Sequence, residues 1–479
     1  MLEKSPLIRP FGGGSPKTRF LYLLVFLLIV LLAGSVWFFG FFQNKNNQRQ
    51  GEIKANLSAL QSLKTVKDAV ALSPNFLGYD RPKTYLVLFL NNTEIRPGGG
   101  FIGSYAVVKV NKGKVEIVET NGSENLDWQA PVDFKIKPPY PIATYMNQEY
   151  WFFRDSNWSP DFPTSAKNSL WFYRFEGGTE GSKIDGVVGL TPTVVEKMME
   201  ITGPLTVAGK TFESKTFTEE LEYHVEYGYK KTGQEVEARK SIIGDLSRAL
   251  LNKIVSLPPW KWGEIWGGFI ALLQEKQIMI FSNDSDLQSL LVRNGWAGDV
   301  KQTNSDYLLV TDSNLASLKT DPVVKRKITY TLRPEGDNFI GKVTINYNHQ
   351  GQFDWRTTRY RTYIKVYVPE GSKLLKADDF INENKKSVAA DVGTELNKTF
   401  FGGFFSLEPQ TQKTITVEYV LPERIKDQIK NGLYTLFVQK QLGTISHTLT
   451  VDLDFGKTGG SGKFFQETDL RLDRDFLFK

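Results

Sequence analysis

The sequence predicts an α/β body carried on one membrane-spanning helix and followed by an all-β domain, and three observations carry that prediction. Residues 20–42 contain no charged side chain. Strand-like and helix-like periodicities alternate between Lys83 and Leu257. Past Asp321-Pro322 the texture becomes short alternating strands with turn residues between them.

At 479 residues the chain is long enough for about three units once a membrane segment is set aside. Hydrophobic residues make up 41% and aromatics 13%, with both charge signs interspersed, which excludes a disordered or collagen-like chain. There is no cysteine, and histidine occurs only at His224, His349 and His447. Disulfides, thiolate nucleophiles, iron–sulfur ligation and cysteine-containing zinc sites are thereby excluded.

Residues 1–19 form a short tail whose Lys4, Arg9, Lys17 and Arg19 outweigh Glu3. The positive-inside rule keeps this tail cytoplasmic and sends the body across the membrane. Phe20 to Phe42, rich in Leu, Val, Phe and Ile, spans a hydrocarbon core of about 30 Å at 1.5 Å per residue. A cleaved signal peptide has a shorter apolar core followed by small residues, whereas Trp37, Phe38, Phe39, Phe41 and Phe42 form an interfacial aromatic belt. The formal net charge of +6 falls to about +3 beyond this segment, too little to imply nucleic acid. The compartment then points to lipids, glycans and other envelope proteins as partners.

In the stretch 43–75, Ile53, Leu57, Leu60, Leu63, Val66 and Val70 recur at helical spacing, which predicts an amphipathic helix over Glu52 to Leu72. The α/β domain is expected over 76–320. It opens with a buried strand, Tyr85 to Leu90, then a glycine loop, then a hairpin of Tyr105–Val110 and Val115–Val118 across Asn111-Lys112-Gly113. Asp127 to Phe175, crowded with aromatics and weakly periodic, reads as loops and short helices around a pocket. Thr191-Pro192 supplies a helix N-cap and first-turn proline, and Gly203-Pro204 closes that helix. Another helix runs from about Glu235 to Val255, burying Ile243, Leu246, Leu250 and Ile254, and Pro258-Pro259 stops it. Seven strands between Lys327 and Phe455 predict an immunoglobulin-like β-sandwich over 321–456. Residues 457–479 form a glycine-rich linker, with Leu470, Leu472 and Phe476 fit for an edge strand.

Candidate chemistry gathers at three places. Gly98-Gly99-Gly100-Phe101-Ile102-Gly103 has the letters of a dinucleotide fingerprint, but seven residues separate it from the preceding strand and a strand follows it. Its backbone N–H groups, with Arg96 two residues upstream, make either a phosphate nest or a tightly packed turn. Arg239 lies on the buried stripe of its helix and needs an anion, either Glu235 or an external phosphate. Arg154-Asp155 follows Trp151-Phe152-Phe153, and the pair either holds phosphate and a divalent cation or fixes its loop by mutual attraction. Carboxylate pairs, a serine–histidine arrangement and histidine metal clusters do not occur at recognisable spacing.

The stretches Asn91-Asn92-Thr93-Glu94-Ile95-Arg96-Pro97-Gly98-Gly99-Gly100-Phe101-Ile102-Gly103-Ser104, Arg361 to Pro369 and Tyr434 to Gln441 resemble a bacterial membrane-anchored family of unassigned function. It is number four thousand and twelve in the domain-of-unknown-function series. The order of elements from Lys83 to Leu257 is more distantly similar to the LytR–CpsA–Psr family, whose members move glycopolymers from polyprenyl-pyrophosphate lipid to the cell wall. That similarity implies an α/β domain of LytR–CpsA–Psr type. It also places Arg96, Arg154, Asp155 and Arg239 at positions corresponding to that family's site, with Lys240 in its thinned basic run, so that the phosphate reading of Arg96, Gly98, Gly99, Gly100, Arg154, Arg239 and Lys240 and the Mg2+ reading of Asp155 gain a family counterpart. Where that family carries an aspartate after its first arginine, this chain has Pro97 and Gly98. The function so implied is binding, and in its fullest form transfer, of a polyprenyl-pyrophosphate-linked glycan. The competing expectation is a non-enzymatic envelope scaffold or adhesion protein in which the arginines are structural.

Overall fold

The computed structural model describes residues 74–207, 209–228, 241–456 and 462–478. The cytoplasmic tail, the apolar segment 20–42 and the helix expected over Glu52 to Leu72 lie outside the described residues. Among those described, no helix is long and apolar enough to cross a membrane. The chain divides into two compact units, one from the described parts of 1–84, 106–120 and 195–267, the other from 85–105, 121–194 and 268–479.

The α/β part is a mixed sheet with helices, as expected. Strand β1 (Lys83–Asn91) is followed by β2 (Phe101–Asn111), β3 (Lys114–Gly122) and β4 (Gly186–Leu190). A small antiparallel hairpin of β5 (Leu205–Val207) and β6 (Lys210–Phe212) precedes β7 (Ile278–Ser282). The five-stranded sheet has the order β3-β2-β1-β4-β7. β4 runs parallel to β1, pairing Tyr85 with Gly186 and Phe89 with Leu190, and β7 is antiparallel to β4. β4 and β7 are buried along their whole length and β1 along most of it, which is why their sequences read as apolar runs without alternation.

In the first unit, the helix Thr193–Thr202 ends at Gly203, whose positive φ and N–H bond to the Met199 carbonyl close it as expected. It begins one residue later than expected, and the Thr191 hydroxyl donates to Gln277 Oε1. The helix Ser241–Val255 buries Leu246, Leu250 and Ile254, as its spacing requires.

In the second unit, a 14-residue helix, Phe162–Phe175, stands where loops and short helices were expected. Asp161 caps it through Oδ2, which accepts from the Thr164 N–H, and Pro163 occupies the first turn. Its inward face carries Ser165 and Ser169, fully buried, with Ser169 Oγ 2.7 Å from Ser156 Oγ. Small polar residues at core positions break the apolar period that would have revealed the helix.

Among the described residues the all-β part has twelve strands where seven, and a candidate edge strand beyond them, were expected. They are β8 (Asp306–Asn314), β9 (Val324–Glu335), β10 (Asn338–His349), β11 (Tyr360–Pro369), β12 (Lys373–Asp378) and β13 (Asp391–Glu395), then β14 (Lys398–Leu407), β15 (Gln412–Val420), β16 (Tyr434–Gln439), β17 (Thr448–Asp454), β18 (Lys463–Asp469) and β19 (Arg474–Phe478). They form two six-stranded sheets, β12-β15-β10-β9-β17-β18 and β13-β14-β11-β8-β16-β19. One core joins both sheets, with Val310, Ile364 and Phe405 of one and Tyr330, Ile345 and Val417 of the other in a single cluster. Each sheet contains one parallel pair, β9 with β17 and β8 with β16. The sandwich begins at Asp306, earlier than the expected 321, because β8 is a central strand. Its Asp306, Thr311, Asp312, Ser313 and Asn314 are buried polar residues, which by sequence read as connecting loop. Beyond 461 the chain supplies an edge strand to each sheet.

Candidate functional site

The glycine loop joins β1 to β2 and is built by its own hydrogen bonds. Asn91 Oδ1 accepts from the Thr93 N–H and hydroxyl, and the Phe101 N–H donates to the Glu94 carbonyl. The Gly98 N–H donates to the Asn157 carbonyl at 3.0 Å, the Gly99 N–H donates to the Arg96 carbonyl, and Asn157 Nδ2 donates to the Gly100 carbonyl. Gly99 and Gly100 sit at φ +113° and +142°, and a Cβ on Gly100 would lie 2.6 Å from the Asn91 carbonyl group. Of the two readings of Gly98, Gly99 and Gly100, the geometry is that of the close-packed turn, with the N–H groups of Gly98, Gly99 and Phe101 donated to carbonyls.

Arg96 is 1% exposed. Its Nε lies 3.3 Å from Asp155 Oδ1 and its Nη2 3.4 Å from Glu94 Oε1. Its Nη1 donates to the Asn314 carbonyl at the end of β8, and the guanidinium lies over the Phe101 ring. A buried guanidinium held by two carboxylates and a carbonyl faces protein groups. Asp155, expected as a metal ligand, spends Oδ1 on Arg96, and among the described residues no group of three His, Asp or Glu side chains is arranged to hold a metal ion.

Arg154, next in sequence to the Arg96 partner Asp155, has a different partner. Its Nε lies 2.8 Å from Asp127 Oδ2, its guanidinium lies over the Phe152 ring, and 29% of its side chain is exposed. Behind Asp127 is Glu176, fully buried, whose Oε1 accepts from the Phe153 N–H at 2.8 Å and whose carboxyl shares a hydrogen bond with Asp127. Burial first, and the adjacent Asp127 second, push the Glu176 carboxyl up to about 9, so it is protonated at neutral pH. Asp127 is pushed up to about 6 by burial, with Arg154 opposing that rise. Two carboxyl groups and one arginine thus hold one proton between them. Arg239 and Lys240 lie outside the described residues.

The polar network continues into the sandwich. Asp321 Oδ2 accepts from the Ile95 N–H and from Asn314 Nδ2, and its Oδ1 accepts from Arg326 Nη2 and the Tyr360 hydroxyl. Arg326 Nε pairs with Asp312 Oδ2 at 2.9 Å. Gln441 brackets the Asp312 backbone, accepting from its N–H and donating to its carbonyl, and Ser317 Oγ accepts from the Arg361 N–H. The three stretches that resemble one family, around Arg96, Arg361 and Gln441, therefore meet at the C-terminal end of β8. Sequence reasoning missed Asp127, Glu176, Asp312, Asn314, Asp321 and Arg326. Their one signal was charge inside strand-forming or aromatic stretches.

Residues 80–225 match the model of the family described as "Protein of unknown function (DUF4012)", which is the family that Asn91–Ser104 resembles. The match is shorter than the motif resemblance, which extends to Gln441. No curated protein matches the chain. Among solved structures, a Legionella pneumophila protein described as a candidate nutrient-binding protein is 9% identical, over 36% of this chain and 70% of that one. Its TM-score of 0.22 is too low to carry an argument about fold or ligand. The expected similarity to the LytR–CpsA–Psr family is not shown by these matches.

Proposed function

We propose that this chain is a single-pass envelope protein, held by residues 20–42 with its body outside the cytoplasmic membrane, and that the body is a non-enzymatic scaffold whose motif residues are structural. The observation that carries this reading is Arg96: the most recognisable motif residue is buried, paired with Asp155 and Glu94, and bonded to the sandwich strand β8. A buried arginine stripped of its partners is strongly unfavourable, so releasing it to bind a phosphate would leave two carboxylates unpaired inside the protein. The motif then marks the joint between the glycine loop and the sandwich. Residues with a joint-forming role need no substrate to account for them.

The competing reading is a phosphate clamp for a lipid-linked glycan, reduced to Arg154, which has solvent access, together with Arg239 and Lys240. The full chain in detergent, titrated with a short-chain polyprenyl pyrophosphate with and without Mg2+, separates the two. A scaffold leaves the thermal midpoint unmoved. A saturable rise that disappears in Arg154→Ala or Arg239→Ala, both still folded, overturns the scaffold reading, because binding to the native state must raise the midpoint by mass action.

A further inference from the structure

The second unit carries a cluster of aromatic rings that no core covers. Trp171 and Phe175 stand one turn apart at the end of the helix Phe162–Phe175, with ring centroids 4.4 Å apart. Phe134 packs on both, at 5.8 and 6.5 Å, and on Phe152. Trp171 and Phe175 are nevertheless exposed, as are Val132, two residues before Phe134, at 99%, and Trp128 at 77%. In Phe134-Lys135-Ile136-Lys137 the apolar residues are half-buried and both lysines exposed. Arg154, over the Phe152 ring, is paired with Asp127, and Asp133 between Val132 and Phe134 is exposed.

We propose that this face, with Val132 at its tip and Lys135 and Lys137 on its rim, docks on an anionic lipid bilayer surface. The inference rests on the reading that residues 20–42 anchor the chain. Two features choose the bilayer over other occupants. Trp, Phe and an aliphatic tip beside lysines match the interfacial zone, where rings lie at the headgroup level and ammonium groups meet lipid phosphates. The described chain also begins only 31 residues after the apolar segment ends, so the body is tethered close to the membrane at high effective concentration.

The chain has no cysteine, so Val132→Cys gives one labelling site on a side chain that contacts almost nothing. The full chain, reconstituted into phosphatidylcholine vesicles with and without phosphatidylglycerol, is labelled there with an environment-sensitive dye. Asn384→Cys, an exposed position in the sandwich, serves as the comparison. Docking predicts severalfold stronger quenching by brominated lipid at 132 than at 384, and a loss of that difference without phosphatidylglycerol or in Lys135→Glu/Lys137→Glu. Equal quenching at both positions in vesicles that carry the protein overturns the proposal. A label at 132 that is shielded from aqueous iodide yet untouched by brominated lipid also overturns it, and assigns the face to a protein or glycan. Failure of the chain to float with vesicles overturns the anchor reading beneath it.

Discussion

Replacing Glu176 by glutamine tests the proton shared in the buried acid pair. Glutamine keeps Oε1 for the Phe153 N–H and offers an amide N–H toward Asp127, so it copies the neutral acid without its ability to ionise. Glu176 has its native pKa near 9 against an ordinary 4.5, so between those values the folded state holds a proton that the unfolded chain has released. Stability from this group is therefore fully present below about pH 4.5 and declines as pH rises, by about 1 kcal/mol per pH unit, until about 9. Lys440 works the other way. Buried, and donating to the carbonyls of Glu275 and Thr444, its amine is pushed down to about 7, so between about 7 and 10 the unfolded chain binds the extra proton and stability rises with pH. The two slopes cancel in part in the wild-type protein, so the difference between proteins is the useful quantity. Urea unfolding between about pH 7 and 8.5, above most of the range in which Asp127 titrates, should show Glu176→Gln gaining on wild type by about 1 kcal/mol for each pH unit. A constant difference across that range would refute the shared-proton assignment.

Lys440→Met should show the opposite trend, its stability relative to wild type falling as pH rises above about 7, in the same urea series. Arg96→Met leaves Asp155 buried without its partner and is expected to cost about 3–5 kcal/mol, while Arg96→Met/Asp155→Leu recovers much of that loss in chemical denaturation. A single variant as stable as wild type would mean that the guanidinium is free for another ligand. Gly100→Ala, forced against the Asn91 carbonyl group at φ +142°, should lose about 1–3 kcal/mol, whereas Gly103→Ala, with nothing within 4 Å of the new methyl, should be nearly neutral by thermal melting. Equal midpoints for the two would remove the close-packed turn.

Local pattern was sufficient wherever one face of an element repeats. The strands from Tyr85 to Leu90 and from Lys327 to Phe455, the helix ending at Gly203-Pro204 and the buried stripe Leu246, Leu250, Ile254 are all where their periodicity puts them. The same logic failed in the helix Phe162–Phe175, whose inward face carries the polar Ser165 and Ser169, and in strand β8, where the burial of Asp306 and Asp312 depends on partners far along the chain. Asp306, for instance, accepts from the hydroxyls of Tyr330 and Tyr434, and neither is a sequence neighbour.

The candidate site divides in the same way. Sequence alone determined that Arg96 stands beside a glycine run, that Gly99 and Gly100 permit a backbone path closed to other residues, and that residues 20–42 carry no charged side chain. Those are properties of single side chains and of short runs. Only the tertiary structure decided which anion Arg96 meets, because Asp155 lies 59 positions away and Asn314 lies 218 away. An arginine that would bind phosphate and one that braces a fold differ only in what long-range packing sets against the guanidinium. Here the packing sets two carboxylates and the end of β8 against it.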